Sequence, residues 1–330
     1  MKVFIIAHAL TTSGGPELLH QLCNKLNLNG IEAYMVYYEG VHFPCKGPGE
    51  NVEKVYKEYH CKFKTNIEDL PDNVVLFTET QSFLLPKIKR AKKIIWWLSV
   101  DNYFKSLKTN YTRFYAPFGM KGEKYSPFNT NYYHFCQSEY ARRFLYSKGI
   151  PEEKIMDLSD YISKEFIRAS ADEHKYLKED IILYNPAKGF KFTEKLKNQL
   201  PSCSWIPLKN FTHTEMIDLM KKSKLYIDFG NHPGKDRIPR EAALCGCCII
   251  TSRCGAADNE LDVPILDIYK YKDCDENISE IIKRIEDIFI NYDERRKDFD
   301  DYRVKIKGEE SVFDKEVEEL IHILDIGSLA

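Results

Sequence analysis

The stretch that most constrains the fold is residues 224–251, with the sequence KLYIDFGNHPGKDRIPREAALCGCCIIT. KLYIDF is short, apolar and rich in β-branched and aromatic residues, a pattern that predicts a buried strand. GNHPG then supplies turn-forming residues, and Pro239 lies near the start of a predicted helix, where a missing N–H leaves no bond unmade. Gly246 ends that helix, and CCIIT predicts a second buried strand. The stretch is therefore predicted to be one βαβ unit of a parallel sheet.

The loop of this unit carries charges where parallel sheets bind ligands. In an open parallel sheet the ligand lies beyond the carboxyl ends of the strands, and GNHPGKDR follows such an end. Lys235 and Arg237 lie there beside the unbonded N–H groups of a helix start, a combination that suits phosphate. Glu241, one turn into the helix, is an acceptor for two hydroxyl groups.

This arrangement resembles the donor-sugar loop of GT-B glycosyltransferases of the group 1 type found in bacterial surface-glycan synthesis, which reads roughly E-G-F-G-L-P-x-x-E-A-x-A-x-G-x-P-V-I. The matching residues are Gly234, Glu241, Ala242, Gly246 and the strand 248–251. The first glutamate of the family falls on Pro233, which has no carboxylate. The resemblance is therefore to the superfamily, and its pair of catalytic glutamates does not carry over.

The resemblance implies an α/β chain with the GT-B fold, in which two Rossmann-like βαβ domains face each other across a cleft. Residues 1–165 are expected to form the N-terminal, acceptor-side domain, 166–178 a polar linker, and 179–305 the nucleotide-sugar donor domain. Residues 306–330 are expected to form a C-terminal helix that packs back on the N-terminal domain. A chain of 330 residues has room for two domains with a core each.

The N-terminal domain opens with the predicted strand VFIIAH, a tight turn at Gly14 and Gly15, and a helix with Pro16 near its start. The glycines lack the G-x-G-x-x-G spacing of dinucleotide sites, which argues against NAD. GT-B enzymes often carry a Gly-Gly loop here, so the resemblance implies that Gly14 and Gly15 bind the donor. The alternative is a turn that only packs the helix on the strand.

The donor domain begins with the predicted strand DIILYN, which leads to Lys188 and Gly189. In GT-B donor domains this strand precedes an Arg…Lys-Gly pattern whose cations hold the donor diphosphate. Lys188-Gly189 match its second part, and Asn185 lies near the unfilled arginine position. A lysine beside a helix start is a sound phosphate ligand, and the alternative is a solvated lysine in a turn. Further on, VPIL (263–266) predicts a short strand.

Two residues are candidates for catalysis. Asp101 directly follows the apolar strand KKIIWWLSV and is either a general base or the cap of the next helix. His232 on the donor loop either contacts the sugar or diphosphate or only shapes the turn. The predicted donor-binding residues are Gly14, Gly15, Asn185, Lys188, Gly189, Gly234, Lys235, Arg237, Arg240 and Glu241.

No metal site is predicted, because the cysteines and histidines lack metal-ligand spacing. Cys247 and Cys248 are neighbours on a strand and face opposite sides, which prevents them from sharing an ion. The histidines form no H-E-x-x-H pattern. The expected chemistry therefore needs no metal and no cofactor, since lysine, arginine and helix N–H groups would stabilise the charge of the leaving diphosphate.

The segment between Lys87 and Lys148 holds 13 basic and 3 acidic residues. Aromatic residues lie among them: Tyr103, Phe104, Tyr111, Phe114, Tyr115 and Phe118. This pattern indicates either a solvated basic face or a surface that contacts an anionic membrane or acceptor. A pI of about 6.5 and the absence of a nucleic-acid-binding motif argue against nucleic acid.

The predicted function is transfer of a sugar from a nucleoside diphosphate sugar to a glycan or lipid-linked glycan acceptor. Ten cysteines without a regular framework indicate the cytoplasm, with peripheral contact at the inner face of the membrane as one option. One alternative is a non-catalytic glycosyltransferase-like binding subunit, because the first glutamate and the arginine are missing. Another is a nucleotide-sugar epimerase on the same fold, which requires more acids and histidines than these motifs supply.

Overall fold

The computed structural model describes residues 1–40, 42–110, 126–171 and 176–325. The chain divides into two compact units: unit 1 is Met1–Asp160 with Ser311–Ala330, and unit 2 is Tyr161–Glu310. Each unit holds one parallel sheet with helices between its strands, which confirms the predicted α/β class.

Unit 1 is built on the longer sheet. Its strands are β1 (Val3–His8), β2 (Ala33–Tyr38), β3 (Val74–Thr78), β4 (Lys92–Trp97), β5 (Tyr133–Cys136) and β6 (Ile155–Asp157). Its helices are α1 (Gly14–Leu28), α2 (Glu50–Val55), α3 (Val100–Asn110) and α4 (Glu139–Ser147). In the described part of this unit the strand order is β2-β1-β3-β4-β5-β6, with all neighbours parallel.

Unit 2 has the strands β7 (Glu179–Tyr184), β8 (Ser204–Pro207), β9 (Ser223–Asp228), β10 (Cys248–Ser252) and β11 (Lys270–Tyr271). Its helices are α5 (Lys164–Ala169), α6 (Phe190–Gln199), α7 (His213–Lys222), α8 (Arg237–Leu244), α9 (Ile278–Ile290), α10 (Tyr292–Arg295) and α11 (Asp300–Asp325), of which α11 ends within the residues assigned to unit 1. The described strands lie in the order β11-β10-β9-β7-β8 and pair in parallel.

The core of unit 1 centres on β4, whose Trp96 and Trp97 are both fully buried. Burial of consecutive residues is expected of a central strand in a parallel sheet, which is covered on both faces. Trp96 donates its indole N–H to the Leu158 carbonyl over 2.8 Å and stacks on Phe313 of α11 with ring centroids 6.4 Å apart. The middle of α11 is therefore part of the core of unit 1.

The strand order of unit 2 reverses at β7, and this reversal locates a ligand site. The chain passes from β7 to β8 on one side and then returns to β9 on the other side of β7. Such a reversal separates the two following loops and opens a crevice at the carboxyl ends of the strands. The loops concerned are residues 185–189 and 229–236, which are the loops that the sequence predicts to bind the donor.

Some sequence-based expectations differ from the structure. The strand predicted at VPIL is wrong. Pro264 has no backbone N–H to donate, and the N–H groups of Val263 and Ile265 bond within local turns. The strand that follows β10 in the described part of the chain is Lys270–Tyr271. The tight turn predicted at Gly14 and Gly15 is also wrong, because α1 already begins at Gly14. Helix α5 occupies the start of the stretch predicted as a linker, 166–178, and α11 begins before the C-terminal helix expected at 306–330.

Candidate functional site

Three loops of unit 2 are in close contact at the carboxyl end of its sheet: residues 185–189 after β7, 229–236 after β9 and 253–256 after β10. Gly189 has φ +59°, and a Cβ there would collide with the Phe229 carbonyl. Gly255 also has φ +59°, and a Cβ there would collide with the His232 carbonyl. Only glycine combines this backbone conformation with such close approach, so the glycines are what allow the loops to meet.

Hydrogen bonds fix the 229–236 loop to its neighbours. The Ala256 N–H donates to the His232 carbonyl over 2.9 Å, and the Ser252 hydroxyl donates to the Gly230 carbonyl over 2.6 Å. The Gly230 N–H donates to Asp273 Oδ2 over 2.6 Å. Burial raises the pKa of Asp273, and the bond from Gly230 opposes that shift. The loop is therefore held in one conformation by both backbone and side-chain bonds.

Lys188 lies at the centre of this site, with Asp228, Asp236 and His232 around its ammonium group. Its Nζ is 3.1 Å from Asp228 Oδ1, 2.5 Å from Asp236 Oδ2 and 3.3 Å from His232 Nδ1. Asp236 accepts a hydrogen bond from the ammonium group, whereas Asp228 Oδ1 lies at ion-pair distance without a hydrogen bond. The diphosphate-binding role of Lys188 stays a prediction, and it would require one of these partners to be exchanged for phosphate.

The ionisation of the three charged side chains follows from burial and pairing. Burial raises the pKa of Asp228, against the attraction of Lys188. Burial also acts on Asp236, but its hydrogen bond with His232 and the charge of Lys188 outweigh it and lower the pKa of that carboxyl. Burial would lower the pKa of Lys188, yet the two aspartates raise it. The site therefore keeps an ammonium group and at least one carboxylate charged at neutral pH.

His232 is 1% exposed and both of its ring nitrogens have partners. Its Nε2 lies 2.9 Å from the Asp228 backbone carbonyl, and its Nδ1 lies 2.8 Å from Asp236 Oδ2. A carbonyl only accepts, so Nε2 carries a hydrogen. The catalytic role of His232 stays a prediction, while the geometry shows that the ring ties β9 to the start of α8.

Two other cations of the donor loop face a single carboxylate on α11. Lys235 Nζ is 2.8 Å from Glu309 Oε1, and Arg240 Nη1 is 2.7 Å from Glu309 Oε2. Arg240 is fully buried, and its Nε and Nη2 donate to the backbone carbonyls of Asp236 and Lys235. Arg240 thus stabilises the conformation of the loop through its backbone carbonyls. Its predicted donor-binding role would require a ligand that reaches a buried guanidinium group.

Arg237 and Glu241 lie on the first turns of α8 and face each other. Arg237 Nε is 3.6 Å from Glu241 Oε1, and the two side chains are 13% and 9% exposed. Asp236 is the N-cap residue of this helix, but its carboxylate bonds to Lys188 rather than to the helix N–H groups. The amino end of α8 therefore lies next to Arg237 without a side-chain cap, and its role as a phosphate site stays a prediction.

The remaining predicted residues divide between the units. In unit 2, Gly234 is buried in the loop, and Asn185 accepts the Ala187 N–H over 2.9 Å in an Asx turn that leads to Lys188. In unit 1, Gly14 and Gly15 form the first turn of α1. Asp101 lies inside the first turn of α3, where its Oδ1 accepts the Tyr140 hydroxyl over 3.3 Å. The cap of α3 is Ser99, which accepts the Asn102 N–H, so the capping alternative for Asp101 is wrong.

Sequence reasoning missed the carboxylates that organise this site: Asp228, Asp236, Asp273 and Glu309. A signal existed for Asp228, because an acid that ends an apolar strand next to a predicted ligand loop is expected to be buried and paired. Glu309 gave no signal, since it lies 69 residues beyond Arg240 on a helix that looks uniformly charged.

A pocket of about 650 Å³ lies in unit 1, at the carboxyl ends of β1 and β2. Its lining includes Leu10, which is 57% exposed, together with Glu39, His42 and the segment 44–49. Pockets of this volume hold small ligands in many proteins. The apolar and hydrogen-bonding groups in its wall suit a ligand with an apolar face and hydroxyl groups.

The described fold is similar to several solved structures. HepE of Anabaena in complex with UDP and glucose matches with a TM-score of 0.65 and 11% identity, over 98% of this chain and 99% of that one. A glycosyltransferase from Rickettsia africae ESF-5 matches with a TM-score of 0.63 and 13% identity, over 99% and 98%. Sucrose-phosphate synthase from Thermosynechococcus elongatus matches with a TM-score of 0.64 and 12% identity, over 98% and 99%.

No protein-family model and no curated protein sequence matches the chain. The structural likeness extends over 98% or more of both chains in each comparison. It confirms that the chain has the GT-B fold, which the residues of the donor loop predicted.

Proposed function

We propose that the protein is a glycosyltransferase that takes its sugar from a nucleoside diphosphate sugar. The observation that carries the proposal is the set of three interlocked loops at the β7–β9 reversal, where the amino end of α8 lies beside Arg237 and Glu241. The GT-B fold supports it, and the similar HepE structures contain UDP, with glucose or as UDP-glucose. Fold alone does not imply function, so the argument depends on the site.

In the proposed complex Arg237 and the first N–H groups of α8 bind the diphosphate. Backbone donors at a helix start, together with a guanidinium that can bind in a fork, suit the two phosphate groups. Glu241, which lies beside Arg237, accepts hydrogen bonds from two hydroxyl groups of the ribose. Departure of the sugar loads negative charge on the diphosphate, which these groups stabilise without reorganising, because the loop is already fixed.

The experiment is a thermal-shift screen of the purified chain against nucleoside diphosphates and their sugars, with and without EDTA. A ligand at ~100 times its dissociation constant adds ~2.7 kcal/mol to the free energy of unfolding, which gives a clear shift. We expect one diphosphate to stabilise the chain in EDTA. We expect Glu241→Ala to lose that shift, whereas Glu194→Ala, an exposed glutamate of α6, keeps it.

Release of free nucleoside diphosphate from the stabilising sugar nucleotide separates an enzyme from a binding subunit. Slow hydrolysis or transfer by the wild-type chain supports the glycosyltransferase. Stabilisation without any turnover, across a panel of acceptors, would favour the non-catalytic binding subunit instead. No stabilisation by any diphosphate would contradict the proposed donor site.

We propose that the pocket beside β1 and β2 binds the acceptor, a glycan or lipid-linked glycan. Its volume of about 650 Å³ accommodates one or two sugar residues, with Leu10 against an apolar sugar face and Glu39 and His42 as hydrogen-bonding partners. We expect Glu39→Ala to raise KM for the acceptor while the nucleotide-induced thermal shift stays unchanged. Loss of nucleotide binding in Glu39→Ala would show that the substitution acts at a place other than the acceptor pocket.

We also propose that unit 1 contacts an anionic membrane through the predicted basic face 87–148, of which residues 111–125, with Tyr111, Phe114, Tyr115 and Phe118, lie outside the described residues. In the described part, Phe104 is 48% exposed and packs against Phe144, and Lys148 Nζ lies 5.2 Å from the centre of the Phe144 ring. Lysines beside exposed aromatic rings are typical of proteins that bind at lipid headgroups. No helix among the described ranges has the length and apolarity needed to cross a bilayer.

Sedimentation with vesicles tests this contact. The wild-type chain should sediment with phosphatidylglycerol vesicles in low salt and remain in solution with phosphatidylcholine alone. Lys148→Glu should weaken sedimentation, whereas Lys283→Glu, an exposed lysine of α9, should not. Equal sedimentation by both variants would contradict this surface as the contact.

A further inference from the structure

Lys188, Asp228, His232 and Asp236 form a group that we call the lysine cluster, in which Asp228 and His232 are buried and Lys188 and Asp236 are partly exposed. One ligand atom from each of the two aspartates and from the histidine lies within 4.8 Å of the other two. Two carboxylate oxygens and one imidazole nitrogen in this spacing are a usual ligand set for divalent transition metals. The cluster therefore has the composition of a metal site.

The position that an ion would take in this set is filled by the ammonium group of Lys188. Its Nζ lies 3.1, 2.5 and 3.3 Å from the Asp228, Asp236 and His232 atoms. A metal ion bound to these three atoms would lie within van der Waals contact of Nζ, and the repulsion between two cations at that distance excludes both being present. The lysine and a metal ion are therefore alternatives at one position.

The hydrogen bonds behind the ligand atoms also resemble those of a metal site. His232 Nε2 donates to the Asp228 carbonyl over 2.9 Å, which leaves Nδ1 directed at the cluster. Metal-bound histidines usually donate their second ring nitrogen to a carbonyl or carboxylate in this way, because that bond fixes the tautomer and the ring orientation. The imidazole is thus oriented with Nδ1 towards the position of the cation, where it also lies 2.8 Å from Asp236 Oδ2.

Burial makes a cation at this position necessary. Asp228 is 1% exposed, and neither of its carboxylate oxygens has a hydrogen-bond partner among the described residues. A carboxylate this well buried, with a second one close to it, is strongly destabilised unless a positive charge lies beside it. Either a lysine or a metal ion can supply this positive charge.

We propose that Lys188 is the resident cation of a built-in metal-ligand set, and that removing its ammonium group converts the lysine cluster into a binding site for a divalent transition metal. The lysine then fixes the donor loop as a structural metal would, through the end of β9 and two residues of the loop 229–236. This inference concerns the charge balance of the cluster and does not depend on the proposed glycosyltransferase activity.

The test is Co²⁺ titration of EDTA-treated wild-type chain, Lys188→Ala and Lys188→Ser, followed by visible absorption and thermal stability. We expect Lys188→Ala to bind one Co²⁺ at least ~100-fold more tightly than the wild-type chain, because only the variant has a vacant position with three oriented ligands. Its melting temperature should rise with Co²⁺ or Zn²⁺, while that of the wild-type chain should not.

The double variant Lys188→Ala with His232→Ala is the matched control, since it keeps all ten cysteines but lacks one ligand. The double variant should lose the tight Co²⁺ site. Because its cysteines are unchanged, this loss would exclude their thiols as the ligands of the ion. Lys188→Ser also removes the ammonium group and replaces it with a small polar side chain, which gives a second, independent variant. If both single variants unfold in EDTA, refolding by Zn²⁺ supports the proposal and failure to refold overturns it.

Two further results would overturn the proposal. Equal Co²⁺ affinity in the wild-type chain and in Lys188→Ala would mean that the lysine does not occupy the metal position. Folded single variants without any tight Co²⁺ site would mean that the three ligand atoms do not act together.

Discussion

Glu79 is a buried carboxyl group that should make the stability of unit 1 depend on pH. It follows β3, is 2% exposed, and its Oε2 accepts the Leu98 N–H over 2.9 Å. Burial raises its pKa from the ordinary 4.5 to about 8, in spite of the backbone hydrogen bonds that oppose the shift. The folded chain therefore keeps this proton at pH values where the unfolded chain has lost it.

The sign and size of the effect follow from linkage. Between pH 4.5 and pH 8 the folded state binds one more proton than the unfolded state at this group, so the free energy of unfolding falls as pH rises. A shift of this size corresponds to a loss of about 3.5 kcal/mol between roughly pH 5 and pH 8, with only about 0.4 kcal/mol more lost above pH 8. Glu79→Gln keeps an acceptor oxygen for Leu98 and does not ionise, so the loss should disappear.

The assay is urea unfolding of wild type and Glu79→Gln at pH 5, 6, 7 and 8, followed by tryptophan fluorescence. Two of the three tryptophans, Trp96 and Trp97, are buried in unit 1 and report its transition, while Trp205 in β8 reports unit 2. We expect the variant to gain about 3.5 kcal/mol relative to wild type over this range. Glu53→Gln, an exposed glutamate of α2, is the control. A difference between wild type and Glu79→Gln that stays constant within about 1 kcal/mol from pH 5 to 8 would refute the reasoning.

Other substitutions test how unit 2 is built. Gly189→Ala should destabilise it by roughly 2 kcal/mol or more, because a Cβ at φ +59° meets the Phe229 carbonyl, and urea unfolding measures the loss. Gly308→Ala in α11 is the matched control: nothing lies within 4 Å of the added Cβ, so helix propensity should stabilise the chain by about 1 kcal/mol. Thr212→Ala removes the capping box of α7 with Glu215 and should cost about 1 kcal/mol in the same assay; an unchanged midpoint would mean that the cap contributes nothing.

Much of the fold was accessible from the sequence because the signals are local. Apolar runs such as KKIIWW and KLYID predict buried strands, and glycine or proline marks the loops between them. The position of the candidate site follows as well, since consecutive parallel strands place their loops at one edge. VPIL failed because its composition favours a strand while Pro264 removes a donor that a strand would need.

The partners of the charged residues were not accessible from the sequence. Lys188 lies 40 and 48 residues before the two aspartates that hold it, as the sequence numbers of Asp228 and Asp236 show. Lys235 and Arg240 look like free cations of a phosphate loop, yet both reach Glu309 on a distant helix. The sequence shows where each charged side chain lies along the chain. The opposite charge with which it pairs depends on how segments that are distant in sequence pack together.

The stack of Trp96 on Phe313 has a consequence for how the chain is made. Trp96 belongs to the middle of unit 1, but Phe313 follows all of unit 2 in the chain. A ribosome that has released the first 160 residues has therefore not yet released the side chain that covers this tryptophan. The same holds for Ser159, because its N–H donates over 2.7 Å to the carboxylate of Glu316, which is also released after unit 2. During synthesis unit 1 is the first unit to begin folding and the last to complete its core. The indole of Trp96 therefore remains accessible to chaperones until unit 2 has emerged.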